Sequence, residues 1–454
     1  MTIAEIVARQ RDYFLTDATK PVAFRTAALK RLQRGIVQHE ANLLAALKQD
    51  LNKSDYEGYM TEVGLVLSEL RFALKHIKKW TKPQKAPTPL TQFHARSFII
   101  AEPYGVALII SPWNYPFQLS LEPLVGAIAA GNCAIVKPSE HAPHTSRVVA
   151  ELIASCFPPQ YITVIEGGQE QSEQLLTQKL DYIFFTGGIE VGKVVMEAAS
   201  RNLTPVSLEL GGKSPCIVDQ TADLKIAARR LAFGKYLNAG QTCVAPDYLL
   251  VHHSVRTRFI SFLKEALEDF FPDRNYANLP AIINDRHFDR LLGLIKDENI
   301  LLGGRSDPQS RFIEPTVVGD VSPASPLMRE EIMGPILPVM SFENLDEVIA
   351  IVRSMPQPLA LYLFSSDRAA EKRILSSLSF GGGCINDTVI HLTSPHLGFG
   401  GVGDSGMGCY HGKYSFDTFT HYKSILKKSN WIDLPMRYHP YTASKSRLLR
   451  LFLK

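Results

Sequence analysis

The sequence predicts an α/β protein whose parallel sheets are covered by helices on both faces. Short apolar runs alternate with helical stretches, and each run has the length of a buried strand. The runs occupy residues 105–110, 133–136, 161–165 and 181–185. Similar strand–helix units follow residue 211 and continue to residue 390. Because a chain of 454 residues is too long for one hydrophobic core, we expect two doubly wound domains.

The N-terminal part of the chain predicts helices that pack on a core. Residues 22–50 are amphipathic, and a second apolar stripe between residues 60 and 77 recurs at three- and four-residue steps. The stripe consists of Met60, Val63, Leu67, Leu70, Leu74 and Ile77. Prolines at positions 83, 87 and 89 end this helix, so residues 81–100 predict a linker that runs into extended strands.

Composition excludes several classes of protein. The net charge of +4 is too small and too dispersed for a nucleic-acid partner. The six cysteines contain no C-x-x-C pair, which argues against a disulfide framework and against a zinc or other metal site. Free thiols indicate a reducing compartment, and the N-terminus lacks the pattern of a secretory signal. We therefore expect a cytoplasmic protein.

Three residues in glycine- or proline-marked loops are candidates for catalysis. Cys243 follows small polar residues, and a thiolate is a strong nucleophile. Glu209 lies at the end of an apolar strand, where burial would raise its pKa as a general base requires. Asn114 follows a strand and could donate a hydrogen bond to an oxyanion. Taken singly, a buried thiol, a surface glutamate and a turn asparagine are the simpler explanations; together they supply nucleophile, base and oxyanion donor.

Four segments around these residues resemble the aldehyde dehydrogenase superfamily. They are Pro112-Trp-Asn114, Leu208-Glu-Leu-Gly-Gly-Lys213, Gly240-Gln-Thr-Cys243 and Glu330-Glu-Ile-Met-Gly-Pro335. Residues 284–288, 400–413 and 415–421 are similar to the class 3 branch, which acts on fatty and aromatic aldehydes. The resemblance extends over residues 10 to 440, nearly the whole chain.

The resemblance implies a domain organisation. An NAD(P)-binding, Rossmann-like domain would comprise residues 1–80 and 101–210, and a catalytic domain residues 211–393. A small β element for bridging and oligomerisation would comprise residues 81–100 and 394–430, followed by a tail at 431–454. Strands of the β element would extend the sheet of a second subunit, which predicts a homodimer.

The resemblance also assigns chemical roles. Cys243 would attack an aldehyde to give a thiohemiacetal, whose oxyanion is held by the Asn114 amide and the Cys243 backbone N–H. Loss of hydride to the nicotinamide would leave a thioester, and Glu209 would activate the water that hydrolyses it to a carboxylic acid. The implied substrates are apolar, namely medium- or long-chain aldehydes or aromatic ones.

The residues expected to bind the cofactor are Trp113, Lys137, Glu140, Gly187, Gly192, Glu331 and Met333. Lys137 and Glu140 would hold the adenosine ribose, and Glu331 the nicotinamide ribose. Gly187 and Gly192 would open a helix beside the dinucleotide. A salt bridge between Lys137 and Glu140 and helix capping by the glycines are the alternative explanations.

Two residues bear on cofactor choice and cofactor contact. A Glu140 carboxylate that accepts both ribose hydroxyls should repel a 2′-phosphate, which favours NAD and leaves NADP open because Lys137 is near. Met333 stands where the family usually has phenylalanine. Methionine is apolar and flexible, so its contact with the ribose should survive.

Two other functions and one further contact stay open from the sequence. A CoA-acylating dehydrogenase would need no water-activating glutamate, so Glu209 argues against it. A non-catalytic protein on the same fold would be expected to lack Cys243 or Glu209. The basic and apolar tail, residues 431–454, could contact a membrane surface, with docking on its own protein or a partner subunit as the alternative.

Overall fold

The structure, a computed structural model, describes residues 1–453 as helices and strands joined by short loops. The helices are α1 Ile3–Leu15, α2 Val22–Leu51, α3 Asp55–Gly58, α4 Gly64–Trp80, α5 Gln118–Ala130, α6 Pro143–Cys156, α7 Gln169–Leu176, α8 Ile189–Ser200, α9 Leu224–Tyr236, α10 Arg256–Phe270, α11 Asp285–Leu294, α12 Leu345–Arg353, α13 Arg368–Ser377, α14 Lys413–Thr418 and α15 Ala443–Phe452.

The strands form two large sheets and two small ones. They are β1 Gln84–Ala86, β2 Ala95–Pro103, β3 Val106–Ile110, β4 Cys133–Lys137, β5 Ile162–Val164, β6 Tyr182–Gly187, β7 Val206–Leu210, β8 Pro215–Val218, β9 Tyr248–His252, β10 Asn299–Leu302, β11 Ser306–Asp307, β12 Phe312–Ile313, β13 Thr316–Gly319, β14 Ile336–Phe342, β15 Ala360–Phe364, β16 Gly382–Ile385, β17 Gly406–Met407 and β18 Thr420–Lys428.

A six-stranded sheet and a seven-stranded sheet confirm the predicted α/β class. The first has the order β17-β7-β6-β3-β4-β5, and the second β10-β13-β14-β9-β8-β15-β16. Each sheet is parallel except at one edge, where β17 and β10 run antiparallel to their neighbours. Every side chain of β3 and β4 is buried, because helices cover both faces of the sheet.

The four strands predicted in the first half of the chain are confirmed as β3, β4, β5 and β6. The predicted helix at 22–50 is α2, which ends where Asn52 takes a left-handed φ of 53°. The predicted helix at 60–77 differs, because residues Tyr59–Val63 form a π-helical turn before α4 begins. That wider turn directs Glu62 toward Lys53, with which it forms a buried ion pair at 2.6 Å.

The segment predicted as one bridging element, residues 394–430, is divided between two sheets. In the three-stranded sheet β1-β2-β18, β18 pairs with β2 along its whole length. β17, however, pairs with β7 in the six-stranded sheet, where Gly406 lies opposite Glu209. Only the last part of 394–430 therefore lies with β1 and β2, because residues 406–407 complete a sheet edge. The other domain boundaries stay predictions.

The C-terminal tail ends in α15, whose N-cap is the Thr442 hydroxyl. Leu448, Leu449, Leu451 and Leu453 are exposed. Among residues 443–451 and 453, every side chain except that of Lys445 is exposed, and the role of the tail stays a prediction. Over residues 1–453, no helix is both long enough and apolar enough to cross a bilayer.

The packing of α5 can be tested at its glycine, Gly126, with Gly293 of α11 as the control. A Cβ at Gly126 would lie 2.8 Å from the Ser415 Cβ on α14, whereas a Cβ at Gly293 on α11 would meet nothing within 4 Å. We expect Gly126→Ala to lower the free energy of unfolding by about 1–3 kcal/mol through overpacking. Gly293→Ala should raise it by up to about 1 kcal/mol, because alanine favours helix. Urea unfolding of both variants measures this; equal effects would contradict the close packing of α5 on α14.

Candidate active site

The predicted oxyanion donor and base lie at the carboxyl ends of strands, and the predicted nucleophile lies in a loop that precedes a strand. Asn114 lies in the turn between β3 and α5, and Glu209 is the penultimate residue of β7. Cys243 lies in the loop between a turn at residues 237–240 and β9. The Asn114 Nδ2 donates to the carbonyl of Gln241 at 3.1 Å. The loops of two different sheets therefore meet at one place.

Cys243 opens onto an apolar cavity of about 230 Å³. The cavity is lined by Met60, Thr61, Leu65, Tyr115, Gln118, Leu119, Phe233, Leu237, Thr242, Cys243, Val244, Val389, Ile390, Leu392, Thr393, Phe399, Tyr410 and His411. On one wall, the Tyr115 hydroxyl and the Thr242 Oγ1 are 2.5 Å apart and satisfy each other. The rest of the surface is mostly hydrocarbon, which favours an apolar ligand.

The resting form of the nucleophile is the neutral thiol. The pKa of Cys243 is raised to about 12, chiefly by loss of hydration on burial and also by the nearby Glu331 and Glu209. The backbone N–H groups of Cys243 and Val244 oppose this by stabilising the thiolate. Attack by the sulfur therefore requires a base that accepts its proton.

Glu209 has the properties of that base. Its side chain is buried, and neither carboxylate oxygen has a hydrogen-bond partner. Burial alone raises the pKa of Glu209 well above its ordinary value. A carboxylate with a raised pKa holds a proton more tightly, which makes it a stronger base for a thiol or a water molecule.

The side chain of Asn114 is buried and directed at the nucleophile loop. One amide N–H is used by the Gln241 carbonyl, and its Oδ1 has no partner. The Asn114 carbonyl accepts from the Asn238 Nδ2 at 2.9 Å, which links the two loops again. The second amide N–H of Asn114 is available to an oxyanion.

Glu331 closely approaches Gly211, where any Cβ would overlap its carboxylate. Burial raises the pKa of Glu331 to about 8, with Asp247 adding to the effect. Lys213 pairs with Asp247 and donates to the carbonyls of Leu327 and Glu330, each at 2.8 Å. The lysine of the Gly-Gly-Lys segment thus fixes the loop that carries Glu331.

Met333 continues this loop and takes a left-handed φ of 51°. Asp247 accepts the N–H of the preceding Ile332 at 2.9 Å, and Arg290 donates to the Ile332 carbonyl at 2.6 Å. These contacts hold the loop in a conformation that L side chains rarely adopt. The Met333 side chain is partly exposed beside Glu331.

Lys137 and Glu140 form an ion pair at 3.3 Å at the end of β4. Lys137 is buried and also donates to the Pro138 carbonyl at 2.9 Å, while Glu140 is partly exposed. Partial burial raises the pKa of Glu140, but its own backbone N–H and Lys137 outweigh this, so the net shift is downward. An ionised, accessible carboxylate therefore stands ready to accept hydrogen bonds from hydroxyl groups.

The N-terminus of α8 fits a dinucleotide phosphate. Gly187 ends β6, and Gly188 caps α8 without a side-chain hydrogen bond to its first N–H groups. A Cβ at Gly188 would meet nothing within 4 Å, whereas one at Gly192 would lie 2.6 Å from Leu210. Thr186 Oγ1 is buried without a partner. Free N–H groups at a helix start bind anions, so these residues fit the cofactor.

Trp113 lies against His287, and their ring centroids are 5.4 Å apart. Burial lowers the pKa of His287 to about 4, with Arg290 and Arg286 adding to the effect, so this imidazole is neutral at pH 7.

The carboxyl groups of Glu209 and Glu331 are both close enough to raise the pKa of the Cys243 thiol. Lys137, Glu140 and Gly187 lie at or just after the ends of β4 and β6, the two strands that flank β3, and Gly192 lies in the first turn of α8.

Sequence reasoning missed the residues that hold these loops in place. Asp247, Arg290, Lys53 and Glu62 were not singled out, and neither was the cavity wall formed by residues 389–411. A lysine just after a helix and a glutamate within an amphipathic helix usually face solvent, so the sequence contains no signal for the buried pair. The Gly-Gly-Lys segment was noticed, but not the contact of its lysine with Asp247.

Two parallel-sheet domains, a cysteine on an apolar cavity and a helix N-terminus that fits a phosphate are features expected of a nicotinamide-dependent dehydrogenase. Residues 1–425 match the sequence model described as "Aldehyde dehydrogenase family". The chain belongs to the aldehyde dehydrogenase family and is an aldehyde-oxidising enzyme. The non-catalytic interpretation is therefore set aside.

Three similar proteins cover almost the whole chain. The "4,4'-diaponeurosporen-aldehyde dehydrogenase" of Staphylococcus aureus is 50% identical over 97% of both chains. The "Aldehyde dehydrogenase, dimeric NADP-preferring" of Mus musculus is 44% identical over 98% of this chain and 99% of its own length. The solved structure "Substrate bound state of Staphylococcus Aureus AldH" has 49% identity and a TM-score of 0.98, with full coverage of both chains.

The raised pKa of Cys243 predicts an alkaline profile for alkylation. Because only the thiolate reacts, the rate of carboxamidomethylation of Cys243 by iodoacetamide should still be rising at pH 9, above the ordinary thiol pKa of about 8.5. Glu209→Gln removes a negative charge that raises the Cys243 pKa, so its profile should shift to lower pH. Peptide mass spectrometry assigns the modified cysteine; a plateau below pH 8 would contradict the proposed environment.

Proposed function

We propose that this chain oxidises apolar aldehydes to carboxylic acids with a nicotinamide dinucleotide, through a thioester on Cys243. The observation that carries the proposal is the position of the Cys243 thiol, which lines the apolar cavity. The Asn114 amide donates to the carbonyl of Gln241, two residues before Cys243, and Glu209 is close enough to raise the pKa of the thiol. A nucleophile, a base and an oxyanion donor are thereby available to one carbonyl group.

The first step forms a bond between the Cys243 sulfur and the aldehyde carbon. Glu209 accepts the thiol proton, and the carbonyl oxygen becomes an oxyanion that receives hydrogen bonds from the Asn114 side chain and the Cys243 backbone N–H. Preorganised donors in a site that excludes water stabilise such charge effectively. The product of this step is a thiohemiacetal.

The second step removes the hydride of the former aldehyde carbon and leaves a thioester on Cys243. When bound, the nicotinamide supplies the acceptor for this hydride. In this proposal Glu331, Trp113 and Met333 would orient it. Glu209 next releases the thiol proton to solvent and becomes a carboxylate again. It then takes a proton from water, the resulting hydroxide attacks the acyl carbon, and the carboxylic acid leaves as the Cys243 sulfur regains its electron pair.

The alternative is transfer of the acyl group to CoA. A buried carboxyl group with no hydrogen-bond partner is costly to maintain, and hydrolysis gives Glu209 a use that acyl transfer to CoA does not. Formation of acid from aldehyde and NAD without CoA separates the two. Substrates in the proposal are medium- or long-chain or aromatic aldehydes, because the cavity wall is apolar.

Two substitutions test the mechanism. Cys243→Ala should abolish NADH formation from an apolar aldehyde while the dissociation constant for NAD, measured by calorimetry, stays near that of the wild type. Glu209→Gln should lower turnover by about 100-fold or more, because hydrolysis loses its base. After incubation with the aldehyde and NAD at pH 9, the intact mass of Glu209→Gln should show an acyl adduct, formed on Cys243. Turnover retained in Cys243→Ala would overturn the proposal.

NAD is the preferred cofactor in this proposal, although one relative is named NADP-preferring. The ionised Glu140 would accept hydrogen bonds from the ribose hydroxyls and repel a 2′-phosphate.

We expect a higher kcat/KM with NAD than with NADP. In Glu140→Gln, the ratio of kcat/KM with NAD to kcat/KM with NADP should fall about tenfold, because the repulsion between the carboxylate and the 2′-phosphate is removed. Parallel steady-state assays with both cofactors measure this ratio. An unchanged ratio would show that Glu140 does not discriminate between the two cofactors.

We also propose that two copies assemble as a homodimer. One relative is named dimeric, and β18 and β16 are edge strands of their sheets. Unpaired backbone groups on such strands can pair with a second copy.

Within one copy, we propose that residues 1–80 and 101–210 form the cofactor domain and residues 211–393 the catalytic domain.

A further inference from the structure

Lys53 and Glu62 form a fully buried ion pair beside the oxyanion donor. Lys53 Nζ lies 2.6 Å from Glu62 Oε1, and both side chains are 0% exposed. Burying two charges costs hydration that their mutual attraction often fails to recover. Stability alone is therefore a weak reason for this pair, and its contacts suggest another.

The ion pair forms hydrogen bonds with both ends of the turn that carries Asn114. Lys53 Nζ donates to the Asn114 carbonyl at 3.3 Å. Glu62 Oε2 accepts the N–H groups of Phe117 and Gln118 at 2.9 and 3.3 Å, which also satisfies the start of α5. A carbonyl and two N–H groups of one turn are thus held by a cation and an anion that neutralise each other.

The same segment of chain also holds the nucleophile loop. Glu57 Oε1 accepts the N–H of Asn238 at 2.7 Å. The Asn238 side chain then donates to the carbonyls of Asn114 and Gln241 at 2.9 and 3.0 Å. The oxyanion loop and the nucleophile loop are therefore fastened to each other and to residues 53–62.

The π-helical turn Tyr59–Val63 makes this arrangement possible. It directs Glu62 to Lys53 while Met60 and Thr61 face the substrate cavity. Single π turns within helices often occur at functional sites. We infer that Lys53 and Glu62 are positioning residues, which set the place of the Asn114 amide relative to Cys243. This inference rests on the proposed thioester mechanism.

The test compares steps that need the oxyanion donor with one that does not. In Lys53→Met, kcat for an apolar aldehyde should fall about 100-fold, because a small misplacement of an oxyanion donor is costly. Alkylation of Cys243 by iodoacetamide forms no oxyanion, so its rate should stay within about threefold of the wild type. The dissociation constant for NAD should be equally unaffected.

Two further variants serve as matched comparisons. Glu62→Gln keeps the shape of the side chain and removes its charge, so it should lower kcat in the same direction even where Lys53→Met fails to fold. Arg25 is another buried cation, which donates to the Ala129 carbonyl at 3.2 Å near the far end of α5. Arg25→Met should lower the melting temperature and leave kcat unchanged.

Three results would overturn the inference. One is wild-type kcat in both Lys53→Met and Glu62→Gln. The second is a parallel loss of kcat and of Cys243 alkylation. The third is an equal fall of kcat in Arg25→Met, which would indicate general loosening of α5. The proposed function is tested separately by aldehyde turnover in the wild type and its loss in Cys243→Ala.

Discussion

The site depends on keeping polar groups buried with few hydrogen-bond partners. Glu209 has two buried oxygens without hydrogen bonds, and such an arrangement costs on the order of 1–3 kcal/mol for each unsatisfied group. The same burial raises the pKa of both Glu209 and Cys243. The sheets and the buried ion pairs of the fold hold these groups in place despite that cost in free energy.

The sheets form a rigid scaffold, and buried ion pairs fix the orientation of the loops at the site. Strands such as β3, buried on both faces, deliver Asn114 to a fixed point. Lys213 then holds the Glu331 loop through Asp247, and Lys53 with Glu62 holds the turn after β3. In each case a lysine pairs with a carboxylate and also contacts backbone groups of a loop. Backbone contacts of this kind constrain the loop itself and not only one side chain.

Much of this could be predicted from the sequence. Apolar runs bounded by glycine and proline located four strands of the six-stranded sheet, β3 to β6, within a few residues, because burial on both faces leaves a distinct pattern. The catalytic roles of Cys243, Glu209 and Asn114 were predicted from their loops and from the family resemblance, and they stay predictions. The π turn at Tyr59–Val63 and the Lys53–Glu62 pair could not be found, because their cause is a long-range contact with Asn114. The division of 394–430 between two sheets has the same origin, since Gly406 pairs with a strand far away in sequence.

That last pairing affects how the protein is made. The six-stranded sheet is built from residues 106–210, yet its final strand, β17, comes from residues 406–407. During synthesis, β7 therefore emerges with a bare hydrogen-bonding edge, and Glu209 lies on it. Bare strand edges are prone to pair with other chains. The strand edge that carries Glu209 is therefore completed only after residues 406–407 have left the ribosome.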